Sequence, residues 1–265
     1  MKKIIYHQLT PMHVGSGSSL GVVDLPIYRE AHTDFPAIPS SAIKGVVRAN
    51  YEKEGKDNVE ILFGNEDMEG DIIFTDAKIL LFPVKSLKGV FVWITSPLAL
   101  QRFERDTNTS LNLNYSNLTG NKAFVSSDSI VLKNNNKNII VLEEFSFEVE
   151  VNTDIAKLKD VSSDKIDKDK IVILPDDVFR FFVKNYTEVV ARIRIDQETG
   201  TVKEGGLWYQ ELTPTETVYY GCVTSRTNNQ ENLKNIVDFI NGKILQFGGD
   251  ETLGRGFTHL KVEGN

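Results

Sequence analysis

The chain has 265 residues, 40% of them hydrophobic and 25% charged, an ordinary globular composition that excludes a disordered or collagen-like polymer. Its 30 Lys and Arg stand against 37 Asp and Glu, a formal charge of −7 that at first argues against a nucleic-acid partner. No apolar stretch approaches the ~20 residues of a membrane span. The N-terminus lacks a signal-peptide run, and the lone Cys222 excludes a disulfide framework, so a cytoplasmic protein with no membrane partner is expected.

The charge is uneven. Residues 1–50 hold five basic side chains (Lys2, Lys3, Arg29, Lys44, Arg48) against three acidic ones (Asp24, Glu30, Asp34), and the acid surplus lies further along. Screening limits the reach of distant charges to ~10 Å, so an acidic protein can still present a basic face to RNA.

Residues 3–10 alternate as a strand, and the Gly- and Pro-rich stretch from Leu9 to Ile38 reads as loop. Ser40 and Ser41 suit the N-cap of a helix through Ala49. Asp71 to Phe82 and Lys88 to Thr95 have the β-branched content of strands, and Pro97 to Phe103 suits a short helix. Residues 106–138, rich in Asn (Asn112, Asn114, Asn117, Asn121, Asn134 to Asn136), read as an insertion or a long mobile loop. Val141 to Val151 alternates again, Lys157 to Lys170 is polar and charge-mixed, and Pro175 to Lys184 suggests a helix. Strands at Val189 to Ile195 and Thr217 to Val223 flank a turn-rich segment, Asp196 to Gly206, which reads as the tip of a protruding hairpin. A helix over Asn232 to Gly242 and a strand over Phe257 to Val262 complete the chain. The order suggests an α+β fold with a ferredoxin-like core and long insertions.

Four segments carry candidate chemistry. The loop Thr10 to Gly21 offers backbone N–H groups and hydroxyls for a phosphate, or is simply a flexible turn. Asp24, flanked by apolar residues and bracketed by His13 and His32, suits a divalent cation or the orientation of a hydroxyl, and equally the capping of a turn. Lys44 and Arg48, four apart, share a helical face beside Ser41, either as a phosphate-contacting edge or as a solvated surface. Phe247 to Phe257 holds four glycines within nine residues plus Arg255, a donor suited to phosphate. This loop precedes a strand, which does not match a dinucleotide-binding turn.

Taken in order, these segments resemble a known family. Gly15-Ser16-Gly17, Leu20-Gly21-Val22-Val23-Asp24-Leu25-Pro26-Ile27, Arg29-Glu30, His32-Thr33 and Phe35-Pro36 are similar to the backbone subunit of the type III-B CRISPR Cmr effector, a branch of the RAMP superfamily. So are Pro39-Ser40-Ser41 with Lys44-Gly45-Val46, Phe74 to Ala77, Leu81 to Phe91, Gly205 to Tyr209 with Glu211, and Gly248 to Gly256. Val14 departs from the pattern, where proline is common.

The resemblance implies a single RAMP domain over 1–265, with a ferredoxin-like palm, a variable insertion at about 106–170 and a β-hairpin thumb at about 189–223. Copies would form a helical filament along a crRNA with other Cmr subunits, and each thumb would interrupt the guide–target duplex. Bound target RNA would be cut at regular intervals by its own 2′-hydroxyl, with Mg or Mn as the divalent cation and Asp24 as catalytic residue and metal ligand. An unperturbed Asp, with a pKa of ~3.9, is a weak base at neutral pH, which favours a metal-holding or orienting role for it and leaves His13 as a second catalytic candidate. Ser41, Lys44, Arg48, Gly248, Gly249, Thr252, Gly254, Arg255 and Gly256 are expected to hold guide RNA without regard to sequence. Thr199, Gly200, Trp208 and Tyr209 are expected to form the wedging thumb, although core packing is an equal use for the two aromatics. A catalytically inert scaffold, a crRNA-processing nuclease and a type III-A backbone homologue are the alternatives.

Overall fold

A computed structural model describes residues 1–19, 21–115 and 118–263; Leu20 and Asn117 lie outside the described residues. The first half runs β1 (Lys2–Gln8), β2 (Ala37–Ile38), α1 (Ser40–Lys53), α2 (Val59–Phe63), β3 (Ile72–Phe74), β4 (Ala77–Ser86), β5 (Val90–Thr95), α3 (Pro97–Thr107), β6 (Lys122–Val125) and β7 (Leu132–Asn134). It continues through β8 (Lys137–Leu142), β9 (Phe145–Val151), α4 (Leu158–Val161), β10 (Ile171–Ile173), α5 (Asp176–Asn185), β11 (Glu188–Ile195) and β12 (Val202–Leu212). The last elements are β13 (Val218–Ser225), α6 (Gln230–Ile240), β14 (Ile244–Gln246) and β15 (Phe257–Glu263). The fold is mixed α+β.

Side-chain alternation covers the central strands on both faces. Ile4 and Tyr6 of β1, with Tyr219 and Val223 of β13, pack with Ile43 and Val47 of α1 and Ile236 and Phe239 of α6. Ile5, Val218 and Tyr220 point the other way, onto Phe103 of α3 and onto Ile155, Leu158 and Ile166. The polar stretch around 157–170 thus covers the second face with a few apolar side chains. It is pinned there by His7, buried between Ser163 Oγ at 2.8 Å and Glu216 Oε2 at 2.9 Å.

The main sheet runs β14-β15-β1-β13-β4 and continues as β5-β10-β6-β9-β8-β7. The continuation returns to its start. Ser86 of β4 pairs with Leu142 of β8, and Leu87 N–H to Val141 O and Glu143 N–H to Lys85 O flank that pair. Strands β4, β5, β10, β6, β9 and β8 therefore close into a ring around Phe82, Val125, Ile140 and Phe147, all buried.

Three expectations are corrected here. The Asn-rich 106–138 stretch is no long loop, since β6 and β7 lie within it and Ala123, Val125 and Ile130 are buried. The hairpin is shorter than 189–223: β11 pairs with β12, which begins inside the segment read as the tip, while β13 pairs with β1. Neither Ser40 nor Ser41 caps α1. Pro39 is the N-cap residue, and Asp76 Oδ1 accepts the Ser40 N–H at 2.7 Å from across the fold. Among the described residues, no helix is long and apolar enough to cross a membrane.

Candidate nucleic-acid interface and the Asp24 site

The 9–36 segment is a folded arch rather than open loop. Gly15 bridges Ile27 and Met12 bridges Thr213, while Ser16 N–H donates to Pro26 O at 3.1 Å and Tyr28 N–H to Val14 O at 2.7 Å. The returning leg lies beside the hairpin. Leu25 N–H donates to Tyr209 O, and Glu211 N–H to Leu25 O, both at 3.0 Å. Asp24 sits where the arch meets β12, half-buried, and its Oδ2 accepts the Tyr209 N–H at 2.7 Å. Its Oδ1 accepts no hydrogen bond among the described residues.

His13 stands on the other leg. Its Nδ1 lies 2.7 Å from Glu211 O, and a carbonyl can only accept, so Nδ1 carries a proton and Nε2, which has no hydrogen bond among the described residues, is the nitrogen that bears the lone pair in this tautomer. A Cβ on Gly15 would lie 2.8 Å from Nε2, so the glycine gives this nitrogen its room.

Two residues quoted in the motif pattern but given no role prove central to the arch. Glu211 is buried: its Oε1 accepts from Arg29 at 2.5 Å and Thr187 Oγ1 at 2.7 Å, and its Oε2 accepts the Ile27 N–H at 3.0 Å. Arg29 also donates to Asp34 O and Val183 O, at 2.8 and 2.9 Å. The network clamps arch, hairpin and α5 together, and all donors and acceptors named are mutually satisfied.

The glycine-rich loop packs on the first leg. A Cβ on Gly248 would overlap His13 O, and one on Gly256 would overlap Phe247 O, both at positive φ. Gly249 N–H donates to His13 O and Gly256 N–H to Pro11 O, each at 2.9 Å; Gly254 N–H donates to Glu251 O at 3.0 Å. These amides serve the fold, so the donors this loop offers a phosphate are the exposed Thr252 hydroxyl and the half-buried Arg255 guanidinium, beside the exposed Glu251 and Leu253. Burial raises the Glu188 carboxyl, with Arg255 near enough to counter it.

Helix α1 faces the same loop across a groove of about 440 Å³ lined by Gly45, Val46, Ala49 and Lys53 on one side and Gln246 and Glu251 on the other. The structure thus brings together α1 and the loop, two segments far apart in sequence. Arg48 is spoken for, donating to Glu52 at 2.7 Å and Gly64 O at 3.0 Å. Lys44 has no ion pair or hydrogen bond among the described residues, and Ser41 is exposed near the helix start.

The hairpin is a separate two-stranded sheet. Thr199 and Gly200 form its turn, where Asp196 Oδ1 accepts the Glu198 and Thr199 N–H groups at 3.0 and 3.2 Å. Trp208 and Tyr209 lie far from that turn, opposite Arg192 and Ala191, at the level of Asp24. Arg192 makes a two-pronged ion pair with Asp250 of the glycine-rich loop, at 3.0 and 3.4 Å. Ile193, Leu207 and Tyr209 stay exposed.

Residues 8–259 match the family model of the RAMP superfamily. The chain is 40% identical over 284 residues to the CRISPR system Cmr endoribonuclease Cmr4 of Pyrococcus furiosus, covering 97% of this chain and 94% of that one. It superposes on a crystal structure of oligomeric Cmr4 from Pyrococcus furiosus with a TM-score of 0.79 at 32% identity, covering 99% and 97% of the two chains. A chain in the cryo-EM structure of a type III-B Cmr-beta complex bound to cognate target RNA shares the fold, with a TM-score of 0.78 at 24% identity over 98% and 96% of the two chains.

Proposed function

Because the chain belongs to the RAMP superfamily and, within it, to the Cmr4 family, we propose that it is the crRNA-binding subunit of a type III-B Cmr complex and cuts target RNA held there. In this reading the sheet β14-β15-β1-β13-β4, with α1 and α6 on one face, is a ferredoxin-like palm and the β11–β12 hairpin is the thumb of a single RAMP domain. The protein works in the cytoplasm, as copies along one crRNA beside other Cmr subunits.

The observation that carries the reading is the placement of Asp24. Its carboxylate is aimed by the amide of a hairpin residue and lies on the same arch as a histidine, and among the described residues Asp24 Oδ1 and His13 Nε2 have no hydrogen-bond partner. Guide phosphates would lie along the α1 groove, held by Lys44, Ser41, Thr252 and Arg255. The groove is open at Gly45, where a Cβ would meet no atom within 4 Å. The hairpin unstacks the duplex locally, and the freed ribose brings its 2′-oxygen in line with the adjacent phosphorus. The 2′-oxygen bonds to phosphorus as the bond to the 5′-oxygen breaks, which leaves a 2′,3′-cyclic phosphate and a 5′-hydroxyl. In this reading Asp24 orients the 2′-hydroxyl, His13 Nε2 accepts its proton, and water gives a proton to the leaving 5′-oxygen.

The donor set fits a loosely held divalent ion better than a resident one. No group of three or more His, Cys, Asp or Glu that could hold a metal occurs among the described residues, whereas a hydrated Mg ion needs only one or two carboxylates plus phosphate oxygens. Magnesium or manganese on the free Asp24 oxygen, completed by phosphate and water, would offset charge building on the phosphate.

The test is a complex reconstituted with crRNA and partner subunits, given labelled complementary RNA with Mg²⁺, Mn²⁺ or EDTA. Asp24→Asn is expected to bind target as before and to slow cleavage by about 100-fold or more. EDTA is expected to stop the wild-type reaction. Undiminished cutting by Asp24→Asn removes this residue from the mechanism; undiminished cutting in EDTA removes the metal.

A further inference from the structure

Among the described residues, two ion pairs join the hairpin to the body of the molecule, one from each face. Glu211 and Tyr209 share a face of β12, and Glu211 pairs with Arg29 of the arch. Arg192 lies opposite Trp208, on the other face, and pairs with Asp250 of the glycine-rich loop. Beyond this cross-section the hairpin has little support: Ile193, Ile195, Val202 and Leu207 are each at least half exposed.

The Arg192–Asp250 contact is built for rigidity. Both guanidinium nitrogens reach the carboxylate, and Nη1 also donates to Gln210 Oε1 at 3.1 Å, so the arginine is fixed to the neighbouring strand as well. The two side chains are only 26% and 20% exposed, which shields the pair from screening. Asp250 itself is held in the left-handed region, and its carbonyl accepts the Leu253 N–H at 2.9 Å, so its end of the bridge is anchored in the loop. The loop is anchored in turn on His13 O through Gly249.

The lever from this bridge to the reacting group is short. Arg192 pairs with Trp208, the next residue is Tyr209, and the Tyr209 N–H is the donor that aims Asp24. A tilt of the hairpin at Arg192 must therefore carry the Tyr209 amide, and Asp24 with it. We infer that Arg192 and Asp250 are positioning residues: their ion pair sets the angle of the hairpin against the guide-holding loop, and through Tyr209 the placement of the Asp24 carboxylate. The inference rests on the reading of Asp24 as the cleaving residue.

The experiment uses the complete complex with crRNA and measures target binding and single-turnover cleavage separately for Arg192→Met, Asp250→Asn, the double variant and the exchanged pair Arg192→Asp with Asp250→Arg. Each single variant is expected to keep guide and target binding within about 3-fold while cleavage falls about 10- to 100-fold, the scale of a misplacement near 1 Å. The double variant should be no slower than the worse single, because both remove one contact, and the exchanged pair should recover at least part of the rate. Wild-type cleavage in both singles overturns the inference, and so do single losses that multiply in the double, or a loss of guide binding that accounts for the loss of cleavage. Asp24→Asn, run alongside, separates the two readings. If it still cuts, the cleaving role of Asp24 has failed; if it does not cut while the bridge variants cut normally, only the bridge has failed.

Discussion

One added methyl distinguishes two glycines in the 248–256 loop. At Gly256 a Cβ would overlap the carbonyl oxygen of Phe247, whereas at Gly254 it meets no atom within 4 Å, although both residues hold positive φ. Gly254→Ala therefore carries only left-handed strain, about 1 kcal/mol. Gly256→Ala must also displace backbone, for about 3 kcal/mol or more. Urea unfolding of the two variants should show this gap, and equal losses would refute the close-approach argument. At this scale the sequence revealed identities better than roles. Asp24 and the glycines could be picked out as candidates from motif order, because the matches with their neighbours fall in sequence along the chain. The Tyr209 amide that aims Asp24 could not, since every residue but proline has such a group. Arg29 and Glu211 lie 182 positions apart, and no local pattern joins them.

Between the end of β13 and the start of α6, one carboxylate organises an entire junction. Asp71 is buried and accepts from Ser225 Oγ, from the Thr227 backbone and hydroxyl, and from Asn232 Nδ2, all at 2.7–3.0 Å. Burial on its own would raise this carboxyl, but the donors from Asn232, Thr227 and Ser225 outweigh it and pull it down to about 2. In the unfolded chain it titrates near ~3.9, so its stabilisation is complete above about pH 5 and is lost as pH falls through about 2. Asp71→Asn should cost about 2 kcal/mol at pH 7. The difference from wild type should narrow as the pH drops toward about 2, where the wild-type carboxyl protonates too. A difference that stays constant across that range would show that charge is irrelevant here. Helices were the elements most legible in the sequence, with α5 and α6 close to their expected bounds, because 3.6-residue periodicity is local. Strands β6, β7 and β10 have four, three and three residues, too short for alternation to register, and Asn-rich flanks hid their buried Ala123 and Val125. The parallel pairing of β6 with β9 leaves no turn signal.

Across the whole molecule, the net charge of −7 hides internal pairing. Of the basic residues in the first fifty, Lys3, Arg29 and Arg48 are spent on Glu263, Glu211 and Glu52, whereas Lys44 has no ion pair among the described residues. The architecture makes a second, separate demand. Strand β4 is at once the last strand of the main sheet and a stave of the closed ring, pairing with β13 along its first half and with β5 and β8 along its second. Neither half can melt without unpairing the strand that completes the other. Heating should accordingly give one calorimetric transition, with equal van't Hoff and measured enthalpies. Amides of β1 and β10, on opposite sides of β4, should exchange with deuterium through the same global opening. Two transitions, or a faster-exchanging ring, would show that β4 is not the shared hinge of stability. The hairpin pairs with neither β4 nor any strand beside it, so a load placed on it by target RNA falls on its own two-stranded ladder and on its tethers to the arch and the glycine-rich loop, not on the strand that holds the rest folded.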